Sequence, residues 1–186
     1  MHELTAPELE RTRTASARDR QDLVAAAFET YHQEVYAFLR RGTRDEAAAE
    51  DLLQDSFVQL AREIGAGRAP DNIRAWLYRV AANLVISRAR RRKTVVEWLS
   101  RQVRGAERTA DGPETLALRR ERSHEVETIL GSLSADARTA LLLASEGFSG
   151  QEIAEAIGRS EAATRAMMCR ARVRARLEFE RHADPA

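Results

Sequence analysis

Apolar residues recur at helical spacing along most of this chain, and no stretch of useful length alternates apolar with polar residues as a strand does. That periodicity restricts the chain to an all-α fold. Phe28, Tyr31, Val35, Phe38 and Leu39 share one face of a helix that opens near Asp22 and should close at Gly42. Leu53, Phe57, Leu60, Ala61 and Ile64 stripe a second helix, over about 45–64. "GAGRAPDN", residues 65–72, is loop chemistry. Leu77, Val80, Ala81, Leu84 and Val85 stripe a third helix, which runs out through "SRARRRK". No one of these three can hide its own stripe, so they should pack as a bundle.

Beyond Thr94 the period weakens, although "VVEWLSRQV" suits a short separate helix. "GAERTADGPE", residues 105–114, is small, polar and broken by Gly and Pro, as a flexible linker is. Helical period then returns in shorter pieces, over about 115–130, 135–145, 150–157 and 161–179. The expected architecture is two small helical domains on a tether: a polar, disordered tail over 1–20, a helical bundle over 21–98, a linker over 99–114, and a second helical domain over 115–182.

The net charge of +1 conceals strong local segregation. Residues 45–64 carry six acids and one base, residues 74–93 seven bases and no acid, and residues 165–176 five bases and no acid. Every base but Lys93 is arginine, which grips phosphate bidentately and stacks on bases better than lysine does. The single cysteine, Cys169, excludes a disulfide framework, and the four histidines have no ligand spacing, so neither a metal nor a cofactor is expected. No nucleophile–base pair or Gly-rich phosphate loop marks a catalytic centre. No apolar run reaches the ~18 residues of a membrane span. The expected setting is soluble, reducing and cytoplasmic.

Two constellations carry functional information. "GFSGQEIAEAIGRSEAATRAMMCRARVRAR" reads as a helix-turn-helix. Ser149 and Glu152 have capping-box spacing, Gly158 suits the left-handed turn between two short helices, and Ser160 can cap the second. Thr164, Met168, Ala171 and Ala175 form that second helix's apolar register. Its first residues, Glu161, Ala162 and Arg165, would face a DNA major groove, and the arginines beyond would meet phosphates. A helical hairpin with a solvated basic face has the same spacing. The other constellation is "WLYRVAANLVISRARRRK". On a helical wheel Trp76, Arg79, Asn83 and Arg90 fall within about 60–80°, flanking the expected core stripe. An aromatic, a base and an amide on one strip can stack on and hydrogen-bond unpaired bases. Trp76 as a plain seal on the bundle edge reads equally well from spacing alone. The preceding helix turns Asp51, Gln54, Asp55 and Val58 outward, which suits either solvent or a protein partner with basic residues.

"AAAEDLLQDSFVQLAREI", "DNIRAWLYRVAANLVISRARRRK" and "LSADARTALLLASEGFSGQEIAEAIGRSEAATRAMMCRAR" together, in this order, resemble the extracytoplasmic-function (ECF) group of bacterial RNA polymerase sigma factors. The resemblance spans about residues 22–177. It implies a non-enzymatic factor that binds core RNA polymerase, at the clamp of the largest subunit and the flap of the second-largest, and directs it to promoter DNA. The first domain resembles sigma region 2. There the resemblance implies that Asp51, Leu52, Gln54, Asp55 and Phe57 contact polymerase. It implies further that loop 65–72 takes a flipped base of the −10 element, and that Trp76, Arg79, Asn83, Ser87, Arg88, Arg90 and Arg91 handle the −10 strand. The second domain resembles region 4, which implies −35 recognition through Ser160, Glu161, Ala162, Arg165, Cys169, Arg170 and Arg172. An anti-sigma factor is a further implied partner. Departures occur at Ala162, Ala163, Thr164, Met167 and Cys169, where the family often has Gly, Thr, Val, Arg and His, and at Ser87, where Asp is common. A stand-alone helix-turn-helix regulator is the competing reading; it has no use for the acidic helix or the aromatic–amide strip.

Overall fold

The computed structural model describes residues 17–102 and 128–183. The described residues are helical throughout, apart from short turns. Three helices lie in the first stretch: α1 (Ala17–Thr43), α2 (Glu46–Gly65) and α3 (Ile73–Gln102). Three lie in the second: α4 (Ala135–Ser145), α5 (Gly150–Ile157) and α6 (Glu161–Ala183), preceded by helical residues 128–132. The tail over 1–16, the linker over 103–114 and most of the helix expected over 115–130 lie outside the described residues.

Helix α1 begins at Ala17, inside the stretch expected to be a tail, and Gly42 does not end it. Gly42 is buried within the helix, and the left-handed residue that stops it is Arg44, with φ 59°. A left-handed non-glycine residue costs about 1 kcal/mol. The turn offsets this with three contacts. The Arg44 amide donates to the Arg40 carbonyl (2.9 Å), the Thr43 hydroxyl donates to the Leu39 carbonyl (2.8 Å), and the Asp45 carboxylate caps α2 by accepting from the Ala48 amide (3.0 Å). Two residues therefore separate α1 from α2.

Helices α1 and α2 pack against each other along their length. The α2 core face differs from the sequence expectation. Leu53 is only half-buried and Ala61 is exposed, while Ala48, Ala49, Leu52, Ser56, Phe57, Leu60 and Ile64 are buried. The stripe is turned by about 70° toward the small residues. Small side chains let two helix backbones approach closely, so Ala48, Ala49 and Ser56 lie inside although their own apolar surface is slight. The Ser56 hydroxyl is satisfied by the Leu52 carbonyl (2.7 Å). Phe28, expected in the core, is 45% exposed: it stacks on His32 (4.8 Å between ring centroids) and meets Phe57 edge-on (5.0 Å).

The core of α3 is turned in the same way. Val80 and Leu84 are half-buried, and the buried face is Leu77, Tyr78, Ala81, Ala82, Val85 and Ile86. Tyr78 carries the change. Its ring is fully buried, edge-on to Phe38 of α1 (5.2 Å), with the Arg74 guanidinium 4.8 Å above it and Arg74 paired to Glu34 of α1 (3.4 Å). A ring with a polar tip and a cation partner fills a larger space than Val80 can. The separate helix expected at "VVEWLSRQV" is absent as such; α3 continues without a break to Gln102, past the domain limit expected at residue 98.

In the second stretch α4 and α5 have the expected bounds and α6 runs further, to Ala183. Ser134 caps α4, accepting from the Ala137 amide (3.3 Å). Leu133, Ala137 and Ala171 form a buried cluster, with Leu130, Leu141 and Met167 packed against it, so α6 seats on α4.

Candidate nucleic-acid interface

The turn between α5 and α6 is built as its sequence indicates. The Ser149 hydroxyl accepts from the Glu152 amide (3.3 Å), and the Glu152 carboxylate accepts from the Ser149 amide (2.8 Å), a reciprocal capping box. These bonds to Ser149 hold the Glu152 carboxyl below its ordinary range. Gly158 is left-handed (φ 67°), and the Arg159 amide closes α5 on the Ala154 carbonyl (3.0 Å). Arg159 also donates through Nε to Asp136 in the first turn of α4 (3.1 Å). The Ser160 hydroxyl then caps α6, accepting from the Ala163 amide (3.3 Å).

Thr164, Met168 and Ala171 are buried, as their register requires, and Ala175 is half-buried. Ser160, Glu161, Ala162, Arg165, Cys169, Arg170 and Arg172 are all exposed. Arg165 is ion-paired one helical turn back to Glu161. Met167 is half-buried against the α4–α6 cluster.

On α3 the rotation of the core sharpens the candidate strip. Arg79, Asn83, Arg90 and Arg91 are exposed, and Trp76, Ser87 and Arg88 are half-buried. The strip of Trp76, Arg79, Asn83, Ser87 and Arg90 lies opposite the buried face, at ~100° per residue, rather than on its flank. Arg88 lies nearer the core side. Ahead of the strip, Asn72 starts α3 by accepting from the Ala75 amide (2.8 Å).

The outer face of α2 presents Asp51, Gln54 and Asp55, all exposed, around Val58, which is 40% exposed. Leu52 and Phe57 are not on that face. At 6% and 7% exposure they pack the core, where Phe57 meets Phe28 of α1.

Sequence reasoning missed one feature of loop 65–72. The Arg68 guanidinium grips both carboxylate oxygens of Glu63 (2.9 and 3.0 Å), while its own amide donates to the Glu63 carbonyl (2.9 Å). That guanidinium holds the Glu63 carboxyl below its ordinary range. The available signal was a glutamate in the last turn of a helix, followed by Gly-Ala-Gly and then the loop's one cation. No group of His, Cys, Asp and Glu among the described residues is arranged to hold a metal ion.

The family model described as Sigma-70 region 2 matches residues 27–95, and that described as Sigma-70, region 4 matches residues 123–174. The RNA polymerase sigma factor CarQ of Myxococcus xanthus is 32% identical over 147 residues, covering 78% of this chain and 82% of CarQ. The chain belongs to the ECF group of RNA polymerase sigma factors. The ECF RNA polymerase sigma factor SigX of Bacillus subtilis (strain 168) is 28% identical over 142 residues, 72% of each chain. Among solved structures, the sigma factor RpoE in complex with the anti-sigma factor NepR, from Bartonella quintana, superposes with a TM-score of 0.61 at 26% identity, covering 82% of this chain and 94% of that one. This sigma factor works with core RNA polymerase and promoter DNA in promoter-specific transcription initiation, and the reading as a stand-alone regulator is not favoured. No described helix is long and apolar enough to cross a membrane.

Proposed function

We propose a division of labour among the faces of this sigma factor. Asp51, Gln54 and Asp55, with Val58 at their centre, dock on the clamp of the largest polymerase subunit. Trp76, Arg79, Asn83 and Ser87 take the unpaired −10 strand, and Arg88, Arg90 and Arg91 follow its phosphates. Loop 65–72 receives an extruded base. Ser160, Glu161, Ala162, Arg165 and Cys169 meet the −35 element, Arg170 and Arg172 meet its backbone, and the same domain contacts the flap of the second-largest subunit. The corresponding domains are 21–98 and 115–182, joined by residues 99–114, and the factor acts in the bacterial cytoplasm. The association of RpoE with the anti-sigma factor NepR supports an anti-sigma partner for this chain as well.

The observation that carries this reading is the separation of charge onto different helices. The exposed acids of α2 repel DNA and suit a basic protein surface, whereas the strip of α3 has no acid and combines a ring, an amide and cations. Opening DNA costs a few kcal/mol per unstacked step, so extruded bases need stacking and edge contacts to hold them. Two modest DNA readers on one tether gain from effective concentration once polymerase fixes their spacing.

Two substitutions test the assignments with holoenzyme at a mapped promoter. Asn83→Ala should reduce permanganate reactivity of −10 thymines by about tenfold while duplex binding changes little, because an edge contact contributes roughly 1–3 kcal/mol. Full reactivity in that variant removes Asn83 from the strand-holding surface. Arg165→Ala should weaken protection of the −35 region by a similar factor, and an intact −35 footprint would sink that assignment.

A further inference from the structure

Both ends of loop 65–72 are tied down by hydrogen bonds. At its start Ala66 donates to the Arg62 carbonyl (3.0 Å), Gly67 to Ile64 (3.0 Å) and Arg68 to Glu63 (2.9 Å), with Gly67 left-handed at φ 74°. This is the way a helix end is closed by a glycine. At its finish Asn72 accepts from the Ala75 amide (2.8 Å), and the Trp76 amide donates to the Asn72 carbonyl (3.0 Å). Only Ala69, Pro70 and Asp71 span between the two anchored ends, and the proline ring fixes one of their torsions.

Arg68 stands where the chain leaves the closed helix end. Three hydrogen bonds join it to Glu63, one from its main chain and two from its guanidinium to the two carboxylate oxygens. A bidentate pair fixes direction as well as distance. It also occupies the only cation in the loop, so the loop's edge offers no free positive charge to draw a phosphate into a place meant for a base.

We infer that the Glu63–Arg68 pair is a positioning device for base capture: it holds loop 65–72 in its receiving shape before DNA arrives and does so without touching the strand. The inference rests on the proposed role of the loop as the receiver of an extruded −10 base. The physical reason is preorganisation. A loop already ordered in the free factor has less entropy to lose when a base enters it.

The test uses holoenzyme reconstituted with core polymerase and a single-stranded non-template oligonucleotide from the −10 region of a promoter mapped by in vitro transcription. Arg68→Ala should weaken oligonucleotide binding about three- to fivefold, the range of a well-formed exposed ion pair. It should slow opening, read by 2-aminopurine fluorescence in the −10 region, with co-purification with polymerase and the −35 footprint unchanged. The exchanged pair Glu63→Arg with Arg68→Glu should restore most of the loss. Loss in both the single variant and the exchanged pair means that Arg68 acts on the strand itself and overturns the inference. No loss in Arg68→Ala, with weakened binding when Ala69–Asp71 is replaced by three glycines, overturns the positioning role and leaves base capture standing. No loss in either variant removes base capture from the loop and the positioning role with it.

Discussion

Exchanging Asp51 and Asp55 for arginine is expected to abolish co-purification with core polymerase while the chain stays folded. Both carboxylates are exposed on the outer face of α2, away from the side that meets α1. Their replacement therefore leaves the core untouched, and surface changes of this kind usually alter stability by about 0.5 kcal/mol or less. The effect on docking is large because the change is a reversal rather than a deletion. Placing like charges against one another costs several kcal/mol, which is on the order of a hundredfold or more in affinity. Gln54 and Val58 remain in place, so the face keeps its shape and loses only its sign. Affinity capture of polymerase, alongside a thermal melt by circular dichroism, separates the two effects. Wild-type capture by a folded double variant would remove the acidic face from the docking surface.

The second large effect is on stability. Tyr78→Ala is expected to destabilise the α1–α3 bundle by about 3–5 kcal/mol, the range for losing a buried aromatic ring. Tyr78 is fully buried, edge-on to Phe38 at 5.2 Å and capped by Arg74 at 4.8 Å. That loss reaches the lower end of the whole stability of a small domain, ~5–15 kcal/mol. Val80→Ala, at a half-buried position, should cost about 1 kcal/mol. Urea unfolding of the two variants distinguishes the observed register of α3 from the one its apolar residues alone suggest. Equal losses would favour the latter.

The contrast between Tyr78 and Val80 shows where the sequence was legible. Helix existence followed from period, helped by the caps Ser149 and Ser160; the structure adds Asp45, Asn72 and Ser134 as caps at the starts of three more helices. Which face of a helix is buried depends on the partner's shape. Ala48, Ala49 and Ser56 lie inside although their own apolar surface is slight, so their burial is set by what packs against α2, which no scan of α2 contains. The same limit explains Leu52 and Phe57. Their segment resembles a docking helix, and the resemblance does not distinguish residues that form the surface from residues that support it. Arg44 was illegible for another reason: Gly42 carries the usual sign of a helix end, and the turn instead falls two residues later on a residue that is seldom left-handed. The caps of the α5–α6 turn were legible, since those bonds join residues at most five positions apart, whereas the bond from Arg159 to Asp136 spans 23 positions and was not.

Helix α3 runs unbroken from Ile73 to Gln102. Trp76, Asn83 and Arg91 are thus fixed on one rod, with about 22 Å of rise from the first to the last. A rod of this kind is geared: each inserted residue advances everything beyond it by ~1.5 Å and also turns it by ~100°. One added residue between Asn83 and Arg90 would send the arginines to another side of the helix. The proposed −10 surface could therefore be retuned by exchanging side chains in place, but not by changing length. Freedom to lengthen or shorten is left to the connections between rods.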